Sequence, residues 1–312
     1  MLPFSRLLLP VKDFDLFCKT LPLIELLSET MAEELEKLDL LHVIGGSFLS
    51  TRLNNIDFRA GQVLSSDLIQ RLREQHYDDF VHPLLVEVQQ VLSKHGGDVQ
   101  AGVRVEDGDP AAKIRLICEK EHFSTLVMAR RKGENKSVIA DTVLDAVINH
   151  YLDASVYIIG EDGLPKDKNP AARIMVGIDG SATALNAARE AALLLTRAGK
   201  DVEKVSLVNV RDPSCFFGDS DLSCKDASDV GYQHLKEAEE LLIKEGVDKS
   251  KIGTMLLFGR PGETLTTYAG SFGATICYIG RRDRSTIAEV LLGSNSRDFV
   301  RRCRKTTIAL VS

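Results

Sequence analysis

The sequence has no apolar stretch approaching the roughly 18 residues that a membrane-spanning helix needs. Its opening run, MLPFSRLLLP, is too short and too soon broken by proline for a signal peptide. A basic balance is also missing: the net charge is −6, which argues against a dedicated nucleic-acid binder. The six cysteines (Cys18, Cys118, Cys215, Cys224, Cys277 and Cys303) form no CxxC pair and no regular spacing. They read as reduced thiols of a soluble, cytoplasmic protein, with Cys277 in an apolar run and hence in the core. The seven histidines form no HExxH; His76 and His82 are near neighbours at an expected loop-to-helix junction and read as surface residues. There is no GxSxG elbow, no GxGxxG after the first strand and no HxGH signature. With no general base in view, no enzymatic activity is expected beyond at most a weak ATPase.

What is present is alternation. The chain of 312 residues, 44% hydrophobic, is long enough for about two domains. Leu7–Val11 reads as a buried strand, Phe14–Leu38 as a helix started or kinked at Pro22, and Leu40–Ile44 as the next strand. A loop and polar helix over 47–75 follow, then an amphipathic helix at His82–Lys94, a strand at Val99–Val105 and a helix opened by Pro110. Thr125–Ala129 is a strand, Val138–Asn149 a helix and Val156–Ile159 a strand. Glu161–Pro170, charged and carrying two prolines, is a linker.

The second half repeats the first. Strands are expected at Arg173–Asp179, Val205–Val210, Lys251–Phe258, Thr275–Ile279 and Thr307–Val311. Helices are expected from the Ser181 cap to Gly199, over Tyr232–Glu245, from Pro261, and over Ser296–Arg304. One constant spacing pairs Arg130-Arg131 with Arg281-Arg282, Gly108 with Gly259, Pro110 with Pro261 and Ile159 with Leu310. A larger one pairs Val11 with Ile178 and Val43 with Val210, so the first half carries extra residues after its second strand. This is duplication of a unit of roughly 150 residues. The fold class is α/β: two tandem doubly wound domains, each a five-stranded parallel sheet flanked by helices. Residues 1–160 form the first domain, 161–170 the linker and 171–312 the second. Ligands of such sheets bind at the carboxyl ends of the strands, where the strand order reverses.

The stretch Cys277–Ser296 carries the strongest local signal: a glycine ending a strand, then Gly293-Ser294 at a helix mouth, where unpaired N–H groups and the helix dipole favour an anion. Together with VGIDGS (Val176–Ser181), SLVNV (Ser206–Val210) and GRPGE (Gly259–Glu263), the pattern Gly280-x2-Asp283-x9-Gly293-Ser294 resembles the universal stress protein family, and the whole chain resembles a tandem member of it.

The resemblance implies an adenine nucleotide alpha hydrolase-like fold and a stress-response regulator binding ATP or AMP, with or without Mg, in its C-terminal domain. Nucleotide-binding members use Gly-x2-Gly-x9-Gly-Ser/Thr. On that pattern Asp179 stands at the adenine end and Val210 contacts adenine or ribose. Ile279, Gly280, position 283, Gly293, Ser294 and the amide of Asn295 stand around the phosphates. Asp179 has an alternative reading as an Asx-type turn or helix cap in Asp-Gly-Ser. Asp283 departs from the pattern, since a carboxylate repels a triphosphate and a side chain blocks backbone approach. Arg281, Arg282 and Arg284 either neutralise it and contact phosphate or form a solvated loop.

In the first half Lys12 replaces the aspartate, and Ala129, Lys132, Thr142 and Val143 replace the glycine and serine elements, so that half is expected to be degenerate as a nucleotide site. His42, before the strand-two valine, is read as structural. The resemblance further implies an internal pseudo-dimer, with Val156–Ile159 and Thr307–Val311 at paired edges, and pairing between chains as a further option. The alternative function is a nucleotide-independent stress or adaptor protein working through protein contacts.

Overall fold

The computed structural model describes residues 2–46, 48, 65–95, 100–132, 142–150, 152–164, 169–213, 224–281 and 293–312. Their centre is one ten-stranded sheet, ordered β3-β2-β1-β4-β5-β10-β9-β6-β7-β8. The first half supplies β1 (Arg6–Pro10), β2 (Lys37–Ile44), β3 (Ala101–Asp107), β4 (Thr125–Ala129) and β5 (Ser155–Ile159). The second supplies β6 (Arg173–Gly177), β7 (Lys204–Arg211), β8 (Ile252–Phe258), β9 (Ile276–Gly280) and β10 (Thr307–Val311). Within each half every pairing is parallel. The halves meet where β5 and β10 pair antiparallel, with Ile308 opposite Ile158 and Leu310 opposite Val156. Both strands are buried along their whole length, and in an isolated half either would be an open apolar edge.

Helices cover both faces: α1 (Phe14–Thr30), α2 (Ser66–His76), α3 (His82–His95), α4 (Pro110–Lys120), α5 (Thr142–Ile148), α6 (Ala182–Ala198), α7 (Cys224–Lys244), α8 (Pro261–Phe272) and α9 (Ser294–Arg302). Strand alternation sorts the core into two layers. Leu7, Leu9, Tyr157, Ile159, Ala309 and Val311 join α1 and α6 on one face. Leu8, Val156, Ile158, Ile308 and Leu310 join α4, α5, α8 and α9 on the other. Each layer runs through both halves, so the interface between them is core.

Several boundaries differ from the sequence expectation. The first helix ends at Thr30, not Leu38, because Met31, Leu35 and Leu38 enter the core through a turn and the start of β2. Pro22 lies inside that helix, which starts at Phe14 under an Asp13 cap accepting from the Leu16 N–H at 2.9 Å. His76 and His82 are not at a loop: a π-helical turn, Tyr77–Val81, joins α2 to α3, and His76 stacks on Phe48 at 5.2 Å. Helix α7 begins at Cys224, ahead of the expected Tyr232, and α9 at Ser294, ahead of Ser296. Cys277 is fully buried. Cys215, Lys136, Ser137 and residues 165–168 of the expected linker lie outside the described residues, as does Asp283. No helix among the described residues is long and apolar enough to cross a membrane.

Two sets of buried polar groups knit the halves together. Glu190 of α6 accepts hydrogen bonds from Ser155 Oγ (2.5 Å) and Tyr157 OH (2.6 Å) of β5, and the Tyr157 and Tyr278 hydroxyls lie 3.1 Å apart. Burial pushes the Glu190 carboxyl up to about 7 against the pull of its two hydroxyl donors. The second set is reciprocal. Arg130, after β4, donates to the Val300 carbonyl in α9 at 2.6 Å, and Arg281, after β9, donates to the carbonyls of Ile148 and His150 at the end of α5. Each guanidinium therefore crosses into the other half and meets carbonyl groups of the matching helix, where a cation suits the dipole when those groups lie near a C-terminus.

Candidate functional site

In the second half β6 lies between β7 and β9, because the chain builds outward through β7 and β8 and then returns to the other side of β6. The helices following β6 and β9 diverge there, leaving a crevice at the strands' carboxyl ends. A cavity of about 100 Å³ occupies it. Gly177, Ile178 and Asp179 line it from the end of β6, Val208 and Val210 from β7, and Ile279 and Gly280 from β9. Pro261 and Leu265 of α8, Ala184 of α6, and Asn295, Ser296 and Phe299 of α9 complete the wall. Asp179, Val210, Ile279, Gly280 and Asn295, chosen from the sequence, are thus brought together. Gly293 and Ser294 stand two residues and one residue before Asn295 and are not part of the wall.

The chemistry of each position is more specific than its place in a motif. Asp179 is exposed, and its Oδ1 accepts from the Ser181 N–H (2.9 Å) and Ser181 Oγ (2.5 Å). Ser181 Oγ in turn accepts from the Ala184 N–H at 3.1 Å and caps α6. The Asx-turn reading of Asp-Gly-Ser therefore holds, and the same carboxylate borders the cavity. Gly180 sits at φ +86° with His234 packed against it, so neither its dihedral nor its space admits a side chain. Gly280 is a glycine for a reason the motif did not disclose. A Cβ there would lie 2.5 Å from the Ala184 nitrogen and the Thr183 carbonyl carbon, so close packing of β9 against the first turn of α6 demands it.

Arg281 corrects one sequence expectation. It is neither a solvated loop residue nor a phosphate contact: it is 1% exposed and spent on the carbonyls ending α5. Arg282 and Arg284 lie outside the described residues. Among the described residues Asp179 is the one charged side chain lining the cavity. Helix α9 opens at Gly293 without a side-chain cap, so its first-turn N–H groups are left for solvent or a ligand.

Asn209 was missed. It is 1% exposed, and its Nδ2 donates to the Ile178 carbonyl at 2.7 Å, fixing the cavity floor. The available signal was the repeat: His42 occupies the matching place and its Nδ1 lies 2.8 Å from the Val11 carbonyl. Burial holds the His42 pKa below the ordinary imidazole value, so the ring is neutral and donates from Nδ1. The first half also has a cavity at the matching crevice, of about 200 Å³, bordered by Val11, Lys12, Val43, Pro110, Met128 and Ala129. Lys132 does not border it and pairs with Asp162 at 3.0 Å.

Comparison with known proteins bears on both halves. Residues 171–310 match the model of the universal stress protein family. A universal stress protein from Archaeoglobus fulgidus superposes with a TM-score of 0.66 at 21% identity, covering 99% of this chain and 97% of that one. A putative universal stress protein from Pseudomonas aeruginosa superposes with a TM-score of 0.59 at 13% identity, over 99% and 93% of the two chains. The curated proteins contain no match to the chain. Residues 171–310 are therefore similar to a universal stress protein domain, and the first half repeats the fold of the second.

Proposed function

We propose that the second half binds an adenine nucleotide, ATP or AMP, as a regulatory ligand, and that the chain acts as a non-enzymatic stress-response protein whose halves form an internal pseudo-dimer. One observation carries this reading: Asp179, Val210, Ile279, Gly280 and Asn295, drawn from four separate elements, converge on a single cavity at the switch point. The uncapped start of α9 at Gly293 and Ser294 lies next to Asn295 in the chain and offers N–H groups to phosphate oxygens.

The test is direct. Purified protein is heat-denatured and the supernatant chromatographed for released nucleotide, and thermal unfolding is followed with millimolar ATP and AMP. Bound nucleotide raises Tm by mass action, about 2.7 kcal/mol of stability at a hundred times Kd. Gly293→Val should abolish the effect without loss of fold, because Gly293 has φ −57°, which valine adopts. A second reading, a nucleotide-independent adaptor, is favoured by Arg281, whose guanidinium is committed to the other half and leaves the cavity without a cation among the described residues. No released nucleotide and no shift with either compound would establish that reading and defeat the first.

A further inference from the structure

The crevice in the first half has kept its shape and changed its chemistry. Its cavity, about 200 Å³, has a wall of Leu41, Val43, Ile114, Met128, Val143 and Leu144. Aligned by the repeat, apolar groups stand where the second half is polar or bare: Leu144 for Asn295, Val143 for Ser294 and Ala129 for Gly280. Thr20 also borders the space, but its hydroxyl is spent on the Phe17 carbonyl at 2.7 Å.

Charge has changed sign as well. Among the described residues, the charged side chains lining the cavity are Lys12 and Arg131, with no carboxylate. Arg131 is paired with Asp13 at 2.9 Å. Lys12 is exposed, stands where the second half has Asp179, and among the described residues has no ion pair or side-chain hydrogen bond. An apolar chamber with one uncommitted cation in its lining is complementary to a molecule with an apolar body and one negative end. It is a poor match for a purine, whose ring nitrogens need hydrogen-bonding partners that the described residues of this wall do not offer.

We propose that the first half is a binding site for a small free carboxylic acid with an apolar body, its carboxylate held by Lys12 and its hydrocarbon filling the chamber beneath. A dry apolar cavity of about 150 Å³ accepts benzene, so a chamber slightly larger takes a straight or aromatic body of about six to eight carbons. The apolar wall supplies the affinity and Lys12 selects the charged end. The site is independent of nucleotide binding in the second half.

Octanoate is titrated into the full chain by calorimetry, with 1-octanol as the uncharged control and ATP as the competitor. The expected result is one octanoate per chain. Lys12→Glu, at an exposed position, should weaken it about tenfold by turning an attraction into a repulsion. Val43→Phe should abolish it by occupying the chamber, with circular dichroism verifying the fold. Gly293→Val, in the second half, should leave octanoate binding unchanged. The proposal is overturned if wild type does not bind octanoate, if octanol binds as tightly as octanoate, if Lys12→Glu binds like wild type, or if ATP displaces octanoate from the Gly293→Val chain.

Discussion

Lys12 and Asp179 stand at the same place in two copies of one fold, each at the mouth of a cavity at the switch point of a parallel half-sheet. Around Asp179 the wall carries polar α9 residues and the bare backbone of Gly280; around Lys12 it carries leucine, valine and alanine. The scaffold beneath has hardly changed. Pro110 and Pro261 open the matching helices, His42 and Asn209 hold the matching carbonyls, and Arg130 and Arg281 cross into opposite halves. The exposed rim positions Lys12 and Asp179 tolerate replacement because solvent or a ligand can satisfy whatever stands there. Scaffold positions accept only another donor, as His42 and Asn209 do, because each buried carbonyl needs one.

The sharpest test of this contrast is the pair Gly280 and Ala129. Gly280→Ala forces a Cβ into the backbone of Thr183 and Ala184 and should destabilise the protein by about 3 kcal/mol or more in urea unfolding. The mirror change, Ala129→Gly, should cost about 1 kcal/mol or less. Equal effects would mean that the two strand ends pack alike and that the cavities do not differ in this way.

The junction offers the next largest effect, from an asymmetry between α1 and α6. The buried positions of α1 carry no carboxylate, whereas α6 buries Glu190 against β5. The folded protein holds the Glu190 proton up to about 7, whereas the unfolded chain releases it near the ordinary value of 4.5. Between those values the folded state binds more protons, so stability must fall as pH rises. The contribution is fully present below about 4.5 and lost as pH passes about 7, on the order of 3 kcal/mol in all. Glu190→Gln should remove that slope and be more stable than wild type above pH 7. An unchanged slope in the variant would place the titration elsewhere.

The smallest of the three effects probes what the halves share. Arg130→Met and Arg281→Met each strip a charged donor from buried carbonyls of the opposite half. Each should cost about 2 kcal/mol in urea unfolding, and the two costs should be similar. A cost confined to one variant would break the equivalence of the two crossings.

Much of this was readable in the chain. The all-apolar runs Leu7–Leu9 and Ile308–Val311 reveal buried parallel strands, and Pro110 and Pro261 mark helix starts, because each signal depends on a few adjacent residues. The repeat follows from paired residues at constant spacing; strand–helix alternation puts Asp179, Val210 and Gly280 at one rim, and the family resemblance adds Asn295. Boundaries were less legible: Leu35 and Leu38 continue a helical apolar period, yet the chain turns at Met31 because those side chains reach the core by another route.

By itself, then, the sequence determined the order of strands and helices, the duplication and the crevice where the candidate residues gather, since period and spacing are properties of the chain alone. Tertiary structure decided the rest. Gly280 is a glycine because of the backbone of α6, Arg281 serves the opposite half rather than its own loop, and Glu190 keeps its proton because both halves close over it. None of these is local. Each depends on atoms brought from more than thirty positions away, and steric exclusion, carbonyl capture and desolvation act through space without leaving a pattern in the neighbouring residues.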